Sequence, residues 1–283
     1  MVWWLDFRMS LASLNQPNNL APEQRAPERL VYFFALLVFA CAAAATFYFN
    51  RSMSGGGMPM PGHWTMSMMW MAMPGQPQLI SGLVFTGMWL AMMVAMMLPS
   101  SMPMLLLYRR AAAFRAEAHL GWATFSVAAG YFVVWTVFGI IAYLAGVGIS
   151  RGAMQWENVS RMVPLAGGIA LMLAGIYQLT PLKFVCLRHC RDPLALVADH
   201  LNGGWRGALR LGLHHGAFCA ACCWGLMLIQ LVLGIMNLGV MVAVALVIAL
   251  EKLLSRGEWV ARATGIAAIA GGIVMTLISI RSF

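Results

Sequence analysis

From Leu211 to Leu250 the chain runs for 40 residues without an Asp, Glu, Lys or Arg. A helix crossing a bilayer needs about 20 consecutive apolar residues. Forty is too long for one crossing, so a break is expected near Met236, Asn237, Leu238 and Gly239, where Asn and Gly interrupt the aliphatic run. The rest of the chain divides in the same way. Leu30 to Phe49, Leu79 to Leu107, Trp122 to Ile149, Val163 to Leu182 and Ala263 to Ile280 are each long and apolar enough to span. With 61% hydrophobic and 10% charged residues, the chain has too little polar surface for a water-soluble globule. The expected fold is all-α: a polytopic transmembrane helical bundle of about seven spans, six being the other division that fits, with its N-terminus inside.

Orientation follows from the cationic residues, which are retained in excess on the cytoplasmic side. In the seven-span arrangement one side receives Arg8, Arg25, Arg29, Arg109, Arg110, Arg115, Lys183, Arg188, Arg191, Arg206, Arg210, Lys252, Arg256 and Arg262. The other side receives Arg51, Arg151, Arg161 and Arg281, a division of 14 to 4. The net charge of +9 therefore sets topology, and a nucleic-acid partner is not expected. Residues 1–29 form a cytoplasmic N-terminal segment, 30–49 a first transmembrane anchor, 50–78 an external Met-rich loop, and 79–283 a transmembrane helical domain. The lipid bilayer is the main partner, and a prokaryotic cytoplasmic membrane the expected location. Val38-Phe39-Ala40-Cys41 loosely matches a lipoprotein processing site, but the apolar run continues past Cys41, which suits a small lipid- or helix-facing residue better.

Methionine is distributed unevenly: fifteen of 24 lie between Met53 and Met104. The external loop places Met53, Met58, Met60, Met66, Met68, Met69, Met71 and Met73 around His63, Trp64 and Trp70. Glycines and prolines at its ends prevent a long helix, so several thioethers can turn toward one centre. A thioether is a soft, neutral ligand that favours Cu(I) and survives an oxidising compartment. Met and Trp also serve as flexible interfacial anchors, and the loop fits that role too. In the second span Met88, Met92 and Met96 recur every four residues, with Met93 and Met97 alongside, and so share a helix face. Such a face suits either sulfur-to-sulfur passage of a soft cation or ordinary packing. Pro99 and Pro103 free backbone carbonyls near its inner end, and these need another partner.

Five of six cysteines fall in the 38 residues from Cys186 to Cys223. The first group is Cys186, His189 and Cys190. The second is His214, His215, Cys219, Cys222 and Cys223, in which His215 and the three cysteines share a helix face. The charge count, made without reference to cysteine, puts both groups near the inner side, where thiols stay reduced. Thiolate with imidazole suits Cu(I), Zn(II) or an iron centre; packing by small apolar cysteines and a disulfide are the alternatives, the second opposed by the inner location. Gln178, Gln230, Asn237 and Glu251 are further polar residues within spans. Glu251 adjoins Lys252, and a helix-end ion pair is the simplest expectation for the two. No nucleotide-binding glycine loop, nucleophile elbow or zinc-protease histidine pair occurs. ATP-driven pumping is therefore not expected of this chain alone, and no motif predicts an enzyme.

The segments MWLAMMVAMMLPSSMP, YQLTPLKFVCLRHCRDP, HHGAFCAACCWGLM and MNLGVM through EKL occur in order between about Gly87 and Leu254. In this the chain resembles a bacterial and archaeal family of predicted metal-binding integral membrane proteins of unknown function. The resemblance implies metal binding at Cys186, His189, Cys190, His215, Cys219, Cys222 and Cys223, and it leaves the Met-rich loop outside. Together these features predict copper acquisition or transfer: the loop collects Cu(I), the Met face conducts it, and the inner Cys/His groups accept it. A metal chaperone or the subunits of a membrane complex are the expected protein partners. A membrane redox subunit or metalloenzyme with a fixed Cys/His centre, holding zinc or iron, is a second expectation. A structural or assembly subunit is a third.

Overall fold

The computed structural model describes residues 22–53, 57–71, 77–115, 119–192, 194–200, 204–254 and 256–281. Most of the expected N-terminal segment, Met73 and the Met53 side chain lie outside the described residues. Nine α-helices and one two-stranded sheet are present among the described residues. In chain order they are α1 (Pro22–Met53), β1 (Gly57–Met60), β2 (Trp64–Ser67), α2 (Gln78–Phe114), α3 (Leu120–Gln155), α4 (Glu157–Gln178), α5 (Pro181–Arg191), α6 (Leu194–His200), α7 (Gly204–Gly234), α8 (Leu238–Leu253) and α9 (Gly257–Arg281).

Six of these helices, α1, α2, α3, α4, α7 and α9, are long and apolar enough to cross a membrane. The seventh expected span is α8, whose 16 residues reach about 24 Å at 1.5 Å per residue. Large apolar side chains such as Leu36, Leu83, Ile141, Leu173 and Ile278 face outward, an arrangement that water does not favour.

The helix ends follow from local chemistry. The long apolar run breaks where expected: Gly234 takes φ +111°, a left-handed conformation that glycine adopts freely. Asn237 then caps α8, its side chain accepting from the Val240 N–H at 3.2 Å. Asn50 of α1 donates to the Met236 carbonyl at the same break. Thr180 begins α5, its hydroxyl oxygen accepting from the Lys183 N–H at 3.4 Å with Pro181 in the first turn, where a missing N–H costs nothing. α2 continues through Pro99 and Pro103. Ser100 and Ser101 sit between the prolines and donate to Met97 O and Leu98 O, both at 3.0 Å.

Two apolar cores are stacked along the bundle. The first contains Met88, Met92, Met93, Met96 and Met97 of α2, Tyr131 and Trp135 of α3, Leu171 and Ala174 of α4, Cys190 of α5, and Cys219 through Met227 on the inward side of α7. The second gathers Met104 to Ala112 of α2, Ala123 and Val127 of α3, Val197 of α6, and Ala208 and Leu211 of α7. α3 and α7 approach closely where the two cores meet. A Cβ on Gly212 would stand 2.1 Å from Val127 O, and one on Gly130 would stand 2.5 Å from Leu209 O. Small residues at such crossings let backbones touch, and here the contact brings Tyr131 up to Cys219.

The Met-rich loop is a β-hairpin. Met58 lies opposite Met66 and Met60 opposite Trp64, and Gly62 (φ +98°) and His63 (φ 57°) form its turn. The Trp64 indole N–H donates to Ser160 O at 3.0 Å and the Ser160 hydroxyl to Pro61 O at 2.8 Å, which ties the hairpin to the start of α4.

Candidate metal centre

The centre lies within the first core, where α5 and the end of α8 pack against α7. Cys219, Cys222 and Cys223 are fully buried on α7, and Cys190 reaches them from α5. Cys190 Sγ is 3.6 Å from Cys222 Sγ, which is 3.4 Å from Cys223 Sγ. Cys222 Sγ also lies 3.3 Å from the Cys219 carbonyl oxygen. The sulfur-to-sulfur separations are far beyond a disulfide bond of about 2.05 Å, and all six cysteines are free. The sulfurs hydrogen-bond to one another instead of being set around a common point. Among the described residues no three His, Cys, Asp or Glu side chains are arranged to hold a metal ion.

Two lysines and a glutamate complete the layer. Lys183 Nζ donates to Glu251 Oε2 at 2.7 Å and to Cys222 O at 2.5 Å, while Gln178 Nε2 donates to Glu251 Oε1 at 2.9 Å. Lys252 Nζ donates to Cys219 Sγ at 2.9 Å and lies 3.5 Å from Ser100 Oγ. The Tyr131 hydroxyl is also 2.9 Å from Cys219 Sγ. Lys183 and Glu251 are 0% and 1% exposed, so their charges offset one another in a medium that strongly disfavours isolated ions. Lys252 has no carboxylate partner among the described residues, and its buried ammonium is held by sulfur and hydroxyl acceptors.

This arrangement corrects the expectation that Glu251 and Lys252 pair at a helix end. Successive helical residues point about 100° apart and cannot face each other, so each finds a partner on another helix. Lys183 and Lys252, counted among the inner-side cations, are buried within the bundle. Removing both from the inner side leaves 12 cations against 4, the same sign of asymmetry. Sequence reasoning missed Tyr131, Lys183 and Lys252 as parts of the site. Lys183 gave a faint signal, three residues before Cys186 in one short helix, but its topological explanation was sufficient by itself.

The remaining candidates are spread over three environments. Met88, Met92 and Met96 are 4%, 3% and 4% exposed and share the first core with the four buried thiols. Gln230 Nε2 donates to Met92 Sδ at 3.2 Å; among the described residues Gln230 Oε1 has no hydrogen-bond partner, and nor has His215 Nδ1. His215 is buried with its ring 5.6 Å from that of Tyr131. Cys186 is half-buried and packs against the core. His189 and His214 are exposed, the first stacked on Phe218 at 4.5 Å and the second 3.4 Å from a nitrogen of His200. In the hairpin, Met66 is buried, Met60 half-buried, and Met58 and His63 exposed. Met69, just beyond it, belongs to the first core. The loop's thioethers are thus divided between an inward and an outward set.

Comparison with curated proteins and with solved structures finds no match. A family model described as PpoB2, copper chaperone, matches residues 86–275. The matched stretch begins with the Met face of α2, contains every Cys and His of the inner groups, and leaves the hairpin outside. Covering more than half of the chain, it places this protein in the PpoB2 copper chaperone family.

Proposed function

We propose that the protein is an integral membrane copper carrier of the prokaryotic cytoplasmic membrane, passing Cu(I) from the Met-rich hairpin along α2 to the inner thiols. The observation that carries this reading is the continuity of one buried core from Met69 through Met88, Met92, Met93, Met96 and Met97 to Cys190, Cys219, Cys222 and Cys223. Residues four apart on a helix are separated by about 6 Å along its axis, so an ion moving down α2 would meet a new sulfur at each turn. Thioethers bind Cu(I) without losing a proton, and thiolates bind it more strongly. The gradient of ligand strength therefore runs from hairpin to thiols. Two thiolates around Cu(I) carry one net negative charge, which the Lys252 ammonium beside Cys219 would offset.

Cys190 on α5 and Cys219, Cys222 and Cys223 on α7 bring four soft donors into one buried group at the end of that path. A metallochaperone or a membrane complex is the receiving partner that such chemistry requires. The test is copper content after anaerobic loading with Cu(I) and desalting. Cys219→Ser, Cys222→Ser and Cys223→Ser combined should remove most bound copper, because a hydroxyl is a hard, weakly acidic ligand. Cys41→Ser, on exposed α1, should not. Wild-type copper in the triple variant would reduce the cluster to packing.

A further inference from the structure

A second group of donors lies away from the thiols, where α6 ends against the start of α7. His200 Nδ1 is 2.9 Å from Leu196 O. A carbonyl can only accept, so in the neutral ring Nδ1 carries the proton and Nε2 keeps its lone pair. That Nε2 lies 3.4 Å from His214 Nδ1, with the two rings at 84° and their centroids 5.3 Å apart. The separation is long for an N–H···N hydrogen bond. It matches the separation expected of two ligands on one ion: nitrogens each about 2.0–2.1 Å from a tetrahedral centre stand about 3.3–3.4 Å apart.

The pair is supported from behind. A backbone carbonyl on the far nitrogen fixes the tautomer and orientation of a metal-ligating histidine, and Leu196 O does this for His200. Gly207 holds the end of α6 against α7, since a Cβ there would stand 2.6 Å from His200 O. His214 is exposed, so water or a donor from another molecule can complete the coordination. Phe218 lies between this pair and the thiols, 6.1 Å from His214 and stacked on His189, the neighbour of Cys190.

We propose that His200 Nε2 and His214 Nδ1 form a solvent-facing exchange site for a borderline divalent transition-metal ion, Cu(II) or Zn(II), completed by water. Neutral imidazole suits such ions better than it suits the soft Cu(I) that thiols hold. Two protein ligands give weak, reversible binding, as an exchange station needs. The binding chemistry is independent of the thiol centre, and only its use as a station for copper traffic rests on the function proposed above.

The test uses the purified full chain in detergent. In the Cys190/Cys219/Cys222/Cys223→Ser background, which removes the four buried thiols, one equivalent of Cu(II) should give an axial paramagnetic resonance spectrum with splitting from two nitrogens. His200→Gln and His214→Gln should each abolish that splitting, and His189→Gln should leave it intact. In the same thiol-depleted background, calorimetry with Zn(II) should show each of the first two changes weakening binding by more than the roughly 10–100-fold typical of losing an outer-shell partner. His214 is exposed, so His214→Gln retains the fold and decides the matter if His200→Gln is not recovered. An unchanged spectrum and Zn(II) affinity in His214→Gln would overturn the pair, as would loss of the signal in His189→Gln. Cu(I) content of the unmodified chain reports separately on the thiols and should not respond to either histidine.

Discussion

Replacing thioethers in α2 by leucine separates conduction from packing, and the structure indicates which sites give a clean answer. Met92 and Met96 are both almost fully buried in the first core. Met-to-Leu exchange keeps apolar volume and helix propensity and costs below about 1.5 kcal/mol per site when the cavity matches. Met96 fits that case. Met92 does not, because its sulfur accepts from Gln230 Nε2 at 3.2 Å and Gln230 Oε1 already lacks a partner among the described residues. Leucine there would leave a buried amide unpaired at about 1–3 kcal/mol. Gln230→Leu is therefore paired with Met92→Leu, so that no amide is orphaned, and Met96→Leu is made alone and in combination. Copper uptake into vesicles is measured at equal protein abundance, alongside the thermal midpoint of each purified variant. Sulfur-to-sulfur passage predicts that Met96→Leu lowers uptake while its midpoint shifts by a few degrees at most, because the Met88/Met92/Met96 face then ends at Met92 and the remaining sulfur, Met97, lies on a neighbouring face about 7.5 Å along the axis instead of about 6 Å. Full uptake in the combined variant would refute conduction along α2 and leave the methionines as packing.

Two further outcomes are expected. Lys183→Met strands the buried Glu251 carboxylate and should destabilise the protein by about 3–5 kcal/mol, whereas Lys183→Met with Glu251→Gln should recover much of that loss; equal thermal midpoints for the single variant and the wild type would contradict the pairing. An enzyme reporter active only outside the cell should work when fused at Gly62 or after Phe283 and fail at Arg115 or Gly203, and activity at Arg115 would reverse the orientation drawn from the charge division.

The long apolar helices, an interruption near Asn237 and the clustering of Met and Cys were legible in the sequence because each is a local property. Hydropathy over about 20 residues decides whether a helix can cross lipid, and a Gly and an Asn three residues apart suffice to end one helix and cap the next. The shared face of Met88, Met92 and Met96, and that of His215, Cys219, Cys222 and Cys223, follow from the helical repeat alone. What those faces meet is not local. Lys183 finds Glu251 across 68 residues and Lys252 finds Cys219 across 33; on sequence evidence the two lysines were indistinguishable from the loop cations around them. His200 finds His214 only because Gly207 allows α7 to close on the end of α6. Burial of a charge is affordable only with a partner in place, and which partner is in place depends on how the helices cross. Composition and periodicity therefore determined that this chain is a bundle of apolar helices rich in soft donors, and the tertiary structure alone decided which donors meet and which charges accompany them.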